Sequence, residues 1–222
     1  MPVAGPRLRV EKYRDLLARI HALPRRRLTL MIGVDGPRGA GKTTFTRALA
    51  ALDPGLDIVQ VDDFWLAREQ RRQERGEAPA EEVAADVDWR RLRAHVLMPL
   101  GRDQPARYQR YDWTTDALAE WRMVPVGGIL IVEGLYACSR PLEGFYDFRI
   151  WVDAPLEVRR SRGMSRNGEG EETRRRWLSA EAAYLAAQNP AVRANLRVDG
   201  SGSLPHDPLQ EYVRIRDEPG RG

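Results

Sequence analysis

Residues 36 to 43 read Gly-Pro-Arg-Gly-Ala-Gly-Lys-Thr, between an apolar run at 28–34 and a helix-like stretch at 44–52. The order is therefore strand, glycine-rich loop, helix. In a loop with the spacing G-x-x-x-x-G-K-[ST], successive backbone N–H groups wrap an anion, the lysine reaches the β- and γ-phosphates, and the hydroxyl coordinates magnesium. The pattern therefore predicts binding of ATP or GTP together with Mg²⁺.

Lysine usage supports this prediction. Of the 36 lysine and arginine residues, only Lys12 and Lys42 are lysines. A chain that otherwise uses arginine but has lysine in the loop is consistent with a need for a compact ammonium there, although a compositional bias with a chance lysine is the alternative. The predicted nucleotide-binding residues are Gly36, Arg38, Gly39, Ala40, Gly41, Lys42, Thr43 and Thr44.

Composition indicates one ordinary globular domain. The chain has 222 residues, 42% of them hydrophobic, enough for a core of useful size. The single Cys138 excludes an internal disulfide and fits a reducing compartment. The first residues lack the apolar core of a signal peptide, and no stretch reaches the roughly 18 apolar residues of a membrane span. We therefore expect a cytoplasmic protein without a membrane partner.

The net charge of +4 raises the question of a nucleic-acid partner. The arginines are scattered among nearly as many acidic residues, with short clusters at 25–27 and 174–176 but no long basic stripe interleaved with aromatics. This pattern favours a solvated surface over a nucleic-acid interface, and a polyphosphate ligand would also favour a basic site. Assembly into a homo-oligomer stays open.

Apolar runs that alternate with helical periodicities predict an α/β protein. Strands are predicted at 28–34, 58–61, 128–132, 148–152 and 195–198, and helices at 8–23, 44–52 and 171–188. Such alternation predicts three layers, with a five-stranded parallel sheet flanked by helices. Residues 67–86 are predicted to be a solvated excursion, and residues 201–222 a flexible tail.

Two carboxylates follow predicted strands at the edge where such sheets bind ligands. Asp62 follows the second strand and Glu133 ends the third. Phosphoryl transfer needs a group that accepts the proton of the attacking hydroxyl and oxygen ligands for magnesium. We predict Asp62 as the base, with a turn-capping role as the alternative, and Thr43 with Glu133 as the metal ligands.

Arginines surround a glycine-rich loop at 163–170. We predict that Arg162 and Arg166 act catalytically, closing over the phosphates as part of an arginine lid at about 159–176. Exposed charges at a helix end are the alternative interpretation.

These motifs resemble those of the uridine kinase and phosphoribulokinase family of P-loop kinases over roughly residues 28–200. The resemblance rests on G-P-R-G-A-G-K-T-T at 36–44, V-D-D-F-W at 61–65, D-W-R-R-L at 88–92, Y-D-W at 111–113, V-E-G at 132–134 and R-G-M-S-R-N-G at 162–168. It implies the P-loop NTPase kinase fold within a domain at 1–200, with ATP and Mg²⁺ as cofactors. It also implies that Asp62 is the general base, Trp65 part of a nucleoside-facing wall and Tyr111 a substrate contact.

The sequence departs from the family pattern at three positions. Asp116 stands where uridine kinases carry a histidine associated with pyrimidine recognition, Trp65 stands where tyrosine is usual, and Asn167 follows Arg166 where aspartate is usual. We therefore expect a kinase that phosphorylates a hydroxyl of a small metabolite, with uridine or cytidine as first candidates. Another alcohol or sugar, a nucleoside monophosphate, or a non-catalytic nucleotide-binding switch are the alternatives.

Overall fold

The central sheet has seven strands, of which five are parallel. The computed structural model describes residues 7–67, 69, 86–164 and 171–216. Its strands are β1 (Arg7–Lys12), β2 (Leu30–Asp35), β3 (Leu56–Gln60), β4 (Ala106–Asp112), β5 (Ala117–Val124), β6 (Ile129–Glu133), β7 (Phe148–Asp153), β8 (Leu196–Asp199) and β9 (Glu211–Arg216). The sheet order is β1-β9-β8-β7-β2-β6-β3.

Helices cover both faces of this sheet. They are α1 (Tyr13–His21), α2 (Lys42–Ala50), α3 (Trp89–Leu92, continued by a π-helical turn Arg93–Leu97 and by Met98–Leu100), α4 (Arg140–Glu143), α5 (Leu156–Met164) and α6 (Glu171–Gln188). Short 3₁₀ turns lie at Val61–Phe64 and Pro190–Arg193. No helix within the described ranges is long and apolar enough to cross a membrane.

The core lies in two layers because the central strands are buried on both faces. Leu30, Ile32 and Val34 of β2 pack into one hydrophobic cluster with α1 and α2, whereas Met31 between them packs into the other. Successive side chains of a strand point to opposite faces, so a strand covered on both sides is apolar throughout. This explains the unbroken apolar runs, and the predicted three-layer α/β fold with five parallel strands is confirmed.

Both ends of the described chain differ from the prediction. The predicted helix at 8–23 begins only at Tyr13, because Arg7–Lys12 forms β1. The tail at 201–222 was expected to lack structure, but Glu211–Arg216 forms β9, antiparallel to both β8 and β1. These two strands extend the parallel sheet at one edge. The predicted lid loop and most of 67–86 lie outside the described residues.

A second, two-stranded sheet stands apart from the first. β4 and β5 form an antiparallel hairpin where the sequence suggested a polar connection. Tyr108 and Tyr111 of β4 are buried, whereas most of β5 is exposed. One side of β4 therefore packs on the domain. The remaining side chains of the hairpin lie at the surface or line the cleft described below.

Candidate active site

The glycine-rich loop leaves β2 and enters α2 through left-handed backbone. Gly41 caps α2 at φ 101°, and Phe45 N–H donates to Gly41 O at 3.0 Å to begin the helix. Gly36 stands at φ 153°, where an added Cβ would come within 2.0 Å of Val152 O. Glycine is the residue that tolerates both the conformation and the close approach. The loop can therefore turn back tightly between β2 and α2, as a phosphate-binding loop requires.

Lys42 lies within this loop and is buried. Its Nζ donates to Gly36 O at 2.8 Å and to Pro37 O at 3.0 Å. Burial lowers the pKa of Lys42, and the carboxylates of Glu133 and Asp35 oppose that effect. An ammonium held by loop carbonyls next to the predicted phosphate position is suited to bind a phosphate oxygen.

Thr43 and Glu133 meet at the start of α2. The Thr43 hydroxyl donates to Glu133 Oε1 at 3.0 Å, although the residues are far apart in sequence. Burial raises the pKa of Glu133, while Lys42 and the Thr43 hydrogen bond act in the opposite direction. A hydroxyl and a carboxylate side by side are oxygen donors of the kind that Mg²⁺ takes together with waters and phosphate oxygens. The two predicted metal ligands are therefore in contact.

The adjacent acids Asp62 and Asp63 have opposite environments. Asp62 is exposed on the 3₁₀ turn after β3, and Trp65 Nε1–H donates to its Oδ1 at 3.3 Å. Asp63 is buried, its Oδ2 accepts the Tyr108 hydroxyl at 2.8 Å, and burial raises its pKa. Asp62 is therefore the carboxylate accessible to an acceptor, and Asp63 fixes the turn to the hairpin.

A cleft of about 470 Å³ lies beside this turn. Its lining comes from α2, from β3 and its 3₁₀ turn, and from the hairpin: Thr43, Thr46, Arg47, Ile58, Gln60, Asp62, Asp63, Arg110, Tyr111, Trp113, Glu120 and Arg122. Thr43 and Asp62 line the same space. The predicted magnesium ligand and the predicted base therefore border one cleft.

The predicted substrate contacts differ in their relation to the cleft. Trp65 is 3% exposed, beneath Trp113 and Trp177 at ring-centroid distances of 4.8 and 6.0 Å, and Trp113 supplies the aromatic wall of the cleft. The Tyr111 hydroxyl donates to Asp116 Oδ1 at 2.5 Å. Asp116 is therefore a direct neighbour of Tyr111, which itself lines the cleft.

Residues 31–172 match the model of the Phosphoribulokinase / Uridine kinase family. This match spans more than half of the chain. The chain belongs to the Phosphoribulokinase / Uridine kinase family.

Individual relatives are distant. The chain is 30% identical over 126 residues to Inorganic pyrophosphatase TTM1 of Arabidopsis thaliana, covering 55% of the chain but only 18% of that protein. It is 27% identical over 171 residues to a uridine kinase of Staphylococcus epidermidis, covering 73% of the chain and 79% of the relative. The structure of a possible uridine kinase from Bacillus stearothermophilus superimposes with a TM-score of 0.62 at 22% identity, over 83% of this chain and 96% of that one. The last comparison supports the fold alone.

Arg162, which was predicted to belong to a lid, contacts the phosphate-binding loop. Arg162 donates to Gly39 O at 3.1 Å and to Gly200 O at 2.8 Å. Arg162 thus contacts the carbonyl side of the phosphate-binding loop, and its catalytic role stays a prediction. Arg166 lies outside the described residues.

Arg38 also has an unexpected environment. Its N–H donates to Glu181 Oε2 of α6 at 2.8 Å, and its guanidinium stacks 4.2 Å from the Trp177 ring. Glu181 also accepts Arg159 Nη1 at 2.6 Å. The Arg38 amide is therefore bonded to a protein carboxylate, and the Ala40 amide donates to Pro37 O at 3.2 Å. In the described structure this leaves the amides of Gly39, Gly41 and Lys42 for an anion.

Sequence reasoning missed several residues that shape the site. Asp35 is fully buried, and its carboxylate accepts Gly36 N–H at 2.6 Å, Cys138 N–H at 2.9 Å and the Tyr184 hydroxyl at 2.6 Å. A carboxylate that ends an apolar strand was a usable signal for Asp35, as it was for Glu133. Glu181 gave no such signal, because α6 is rich in charged and small residues and lacks a clear apolar stripe.

Proposed function

We propose that the chain is an ATP- and Mg²⁺-dependent kinase that transfers the γ-phosphate to a hydroxyl of a small polar metabolite, with a nucleoside such as uridine or cytidine as the first candidate acceptor. The observation that carries this proposal is the shared cleft: Asp62 is exposed in the space bordered by Thr43, whose hydroxyl is bonded to Glu133. Family membership and the uridine kinase relative support the same reading.

The loop and its neighbours would hold the nucleotide. The amides of Gly39, Gly41 and Lys42 and the Lys42 ammonium would bind phosphate oxygens, while Thr43 and Glu133 would supply oxygen ligands to the magnesium ion. When bound, magnesium neutralises charge on the transferred phosphoryl group. Lys42 needs little rearrangement, because its Nζ already lies against the loop.

Asp62 would accept the proton of the acceptor hydroxyl. As the new oxygen–phosphorus bond forms, the bond from phosphorus to the bridging oxygen of ADP breaks, and the hydroxyl proton passes to the Asp62 carboxylate. Trp65 Nε1–H bonds one oxygen of that carboxylate and leaves the other for the acceptor. The position of Asp62 therefore matches the task of a base rather than that of a turn cap alone.

The lining of the cleft favours an acceptor with several polar groups. Arg47, Arg110 and Arg122 face Asp62, Asp63 and Glu120 around it. Arg110 donates to Glu120 at 2.7 Å and lowers the pKa of that carboxyl to about 2. Paired charges of both signs suit hydroxyl-rich molecules, so sugars and other polyols belong in the test beside nucleosides. The three guanidiniums favour a phosphorylated acceptor as the second candidate.

A mass-spectrometric screen tests the proposal. The protein is incubated with ATP, MgCl₂ and a mixture of nucleosides, nucleoside monophosphates, sugars and polyols, and we expect one class to gain a phosphate. Asp62→Asn should reduce that transfer by about 10²- to 10⁴-fold while ATP affinity stays near that of the wild type. Asp15→Asn, at an exposed position of α1, is the matched control.

Two results would count against the proposal. Comparable turnover in the Asp62→Asn variant would remove Asp62 from the role of base. ATP binding without phosphorylation of any acceptor would instead favour a nucleotide-binding switch.

A further inference from the structure

Exposed apolar side chains concentrate on the hairpin. Of the ten large hydrophobic residues that are exposed among the described residues, four lie within the short segment 113–123. They are Trp113, Leu118, Trp121 and Met123, with exposed fractions of 46%, 48%, 49% and 68%. Trp113 lines the cleft, and Leu118 alternates with Trp121, so Trp121 and Met123 are the two that share the face turned away from the cleft. Single exposed apolar residues are ordinary, but two neighbours on one face of a strand indicate an interaction surface.

β5 is also an unpaired edge. Within the described part of the chain it pairs with β4 alone, and at eight residues it is the longest strand. A long exposed edge with apolar side chains presents free backbone donors and acceptors to another strand. Both features point to addition of a strand along β5.

The side chains of β5 divide into two faces. Glu120 and Arg122 face the cleft. Trp121 and Met123 alternate with them and therefore lie on the opposite face, where the Arg107 guanidinium stacks 4.3 Å from the Trp121 ring. A partner strand must match a charged face and an apolar face at the same time.

We propose that a second copy of this chain is the partner, with the two β5 strands paired antiparallel about a two-fold axis at Trp121. In this register Trp121 lies opposite its own counterpart, and Ala119 lies opposite Met123 of the partner subunit. On the other face Glu120, which also accepts from Arg110 of its own chain at 2.7 Å, lies opposite the partner's Arg122, and by symmetry this contact forms twice. A second copy therefore supplies apolar contacts on one face of β5 and an oppositely charged contact on the other.

Neighbouring registers are excluded by charge. A two-fold axis at Glu120 sets glutamate against glutamate, and one at Arg122 sets arginine against arginine, which is destabilising across a strand pair. A shift by one residue would also place polar side chains opposite apolar ones, because faces alternate with a period of two. The sequence of β5 therefore selects the Trp121 register. The resulting four-stranded sheet would carry both acceptor clefts on one face.

Sedimentation with charge reversal tests the proposal independently of kinase activity. We expect the wild type to form a dimer at about 100 μM. Glu120→Arg and Arg122→Glu should each weaken the dimer at least about tenfold, because each creates two like-charge contacts. An equimolar mixture of the two single variants should return the Kd to within about threefold of wild type, because pairing of one variant with the other restores two opposite-charge contacts. Circular dichroism confirms folding of each variant. A monomeric wild type, unaffected single variants or a mixture that fails to recover would overturn the proposal.

Disulfide crosslinking tests the register itself. Trp121→Cys places two thiols directly opposite each other, at a separation that a disulfide can span, so oxidation should give a covalent dimer. Ala119→Cys is the matched control, because its opposite residue is Met123, and it should not crosslink. Cys138 is buried and does not interfere. A reversed result, with crosslinking at 119 and none at 121, would overturn the register.

Discussion

Gly200 approaches the phosphate-binding loop so closely that one methyl group would collide with it. An added Cβ would lie 1.9 Å from Ala40 O and 3.1 Å from Val152 Cγ1. Since Arg162 also bonds Gly200 O, the residue lies at the point where β8 supports the loop. The loop position therefore depends on a residue far from the motif that defines the loop.

Gly200→Ala should consequently weaken nucleotide binding. The backbone of the loop must move to admit the methyl group, which misaligns its amides, and we expect at least about a tenfold loss of ATP affinity, or about 1.4 kcal/mol. Calorimetric titration with ATP and Mg²⁺ measures it. Gly144→Ala is the control, because a Cβ there meets nothing within 4 Å. Equal ATP affinity in the two variants would contradict the argument.

Single residues were predictable where spacing alone encodes the chemistry. The sequence motif identified Lys42 and Thr43, and the polar end of an apolar strand identified Glu133, and the structure brings these three together. Glu181 and Tyr184 escaped prediction because their contacts with the loop and with Asp35 span 143 and 149 residues. Nothing local in the sequence reports a partner at such a separation.

Helix α6 is attached to the nucleotide-binding loop along one face. Trp177, Glu181 and Tyr184 have the spacing i, i+4, i+7 and so share that face. Trp177 stacks on the Arg38 guanidinium, and Glu181 accepts the Arg38 N–H. Tyr184 donates its hydroxyl to Asp35. The helix that follows the predicted lid loop therefore contacts Asp35 and Arg38, at the start of the phosphate-binding loop.

Glu181→Gln should loosen this attachment. The amide keeps the size of the side chain but leaves the Arg159 guanidinium, which is largely buried, without its counter-charge. Breaking a buried ion pair in this way costs about 3–5 kcal/mol of unfolding free energy, and we expect the KM for ATP to rise more than kcat falls. Urea unfolding and steady-state kinetics measure both effects.

Glu157→Gln is the matched control for that substitution. Glu157 lies on α5, the helix that carries Arg159, but it is exposed. It should leave both the unfolding free energy and the KM near their wild-type values. A loss of stability equal to that of Glu181→Gln would show that the effect does not arise from the ion pair.

Elements were predictable in proportion to their burial. The five parallel strands appeared as apolar runs within a few residues of their observed bounds, because both of their faces lie against helices. β1 and β9 were missed because they are not continuous apolar runs and their pairing joins opposite ends of the chain. The hairpin was missed for a similar reason, since its polar side chains line a cleft.

Across the whole molecule, the sheet separates two hydrophobic layers, and Cys138 is buried in one of them. Burial raises the pKa of its thiol well above the usual value, and the nearby Asp35 carboxylate adds to the effect. Burial also raises the pKa of Tyr146, which packs in the same layer. The folded protein therefore retains protons at alkaline pH that the unfolded chain releases.

Stability should fall as pH rises through the unfolded-state pKa of the thiol, near 8.5. Above that value the unfolded chain binds one proton fewer at Cys138 than the native state, so the free energy of unfolding declines by up to about 1.4 kcal/mol per pH unit. The tyrosine contributes only above about pH 10, its own unfolded value. Urea unfolding at intervals between about pH 8 and 9.5 isolates the contribution of the thiol. Cys138→Ala should flatten the pH dependence of the unfolding free energy in this range, because its loss of packing lowers stability by the same amount at every pH. An equally steep decline in the alanine variant would assign the alkaline destabilisation to other groups.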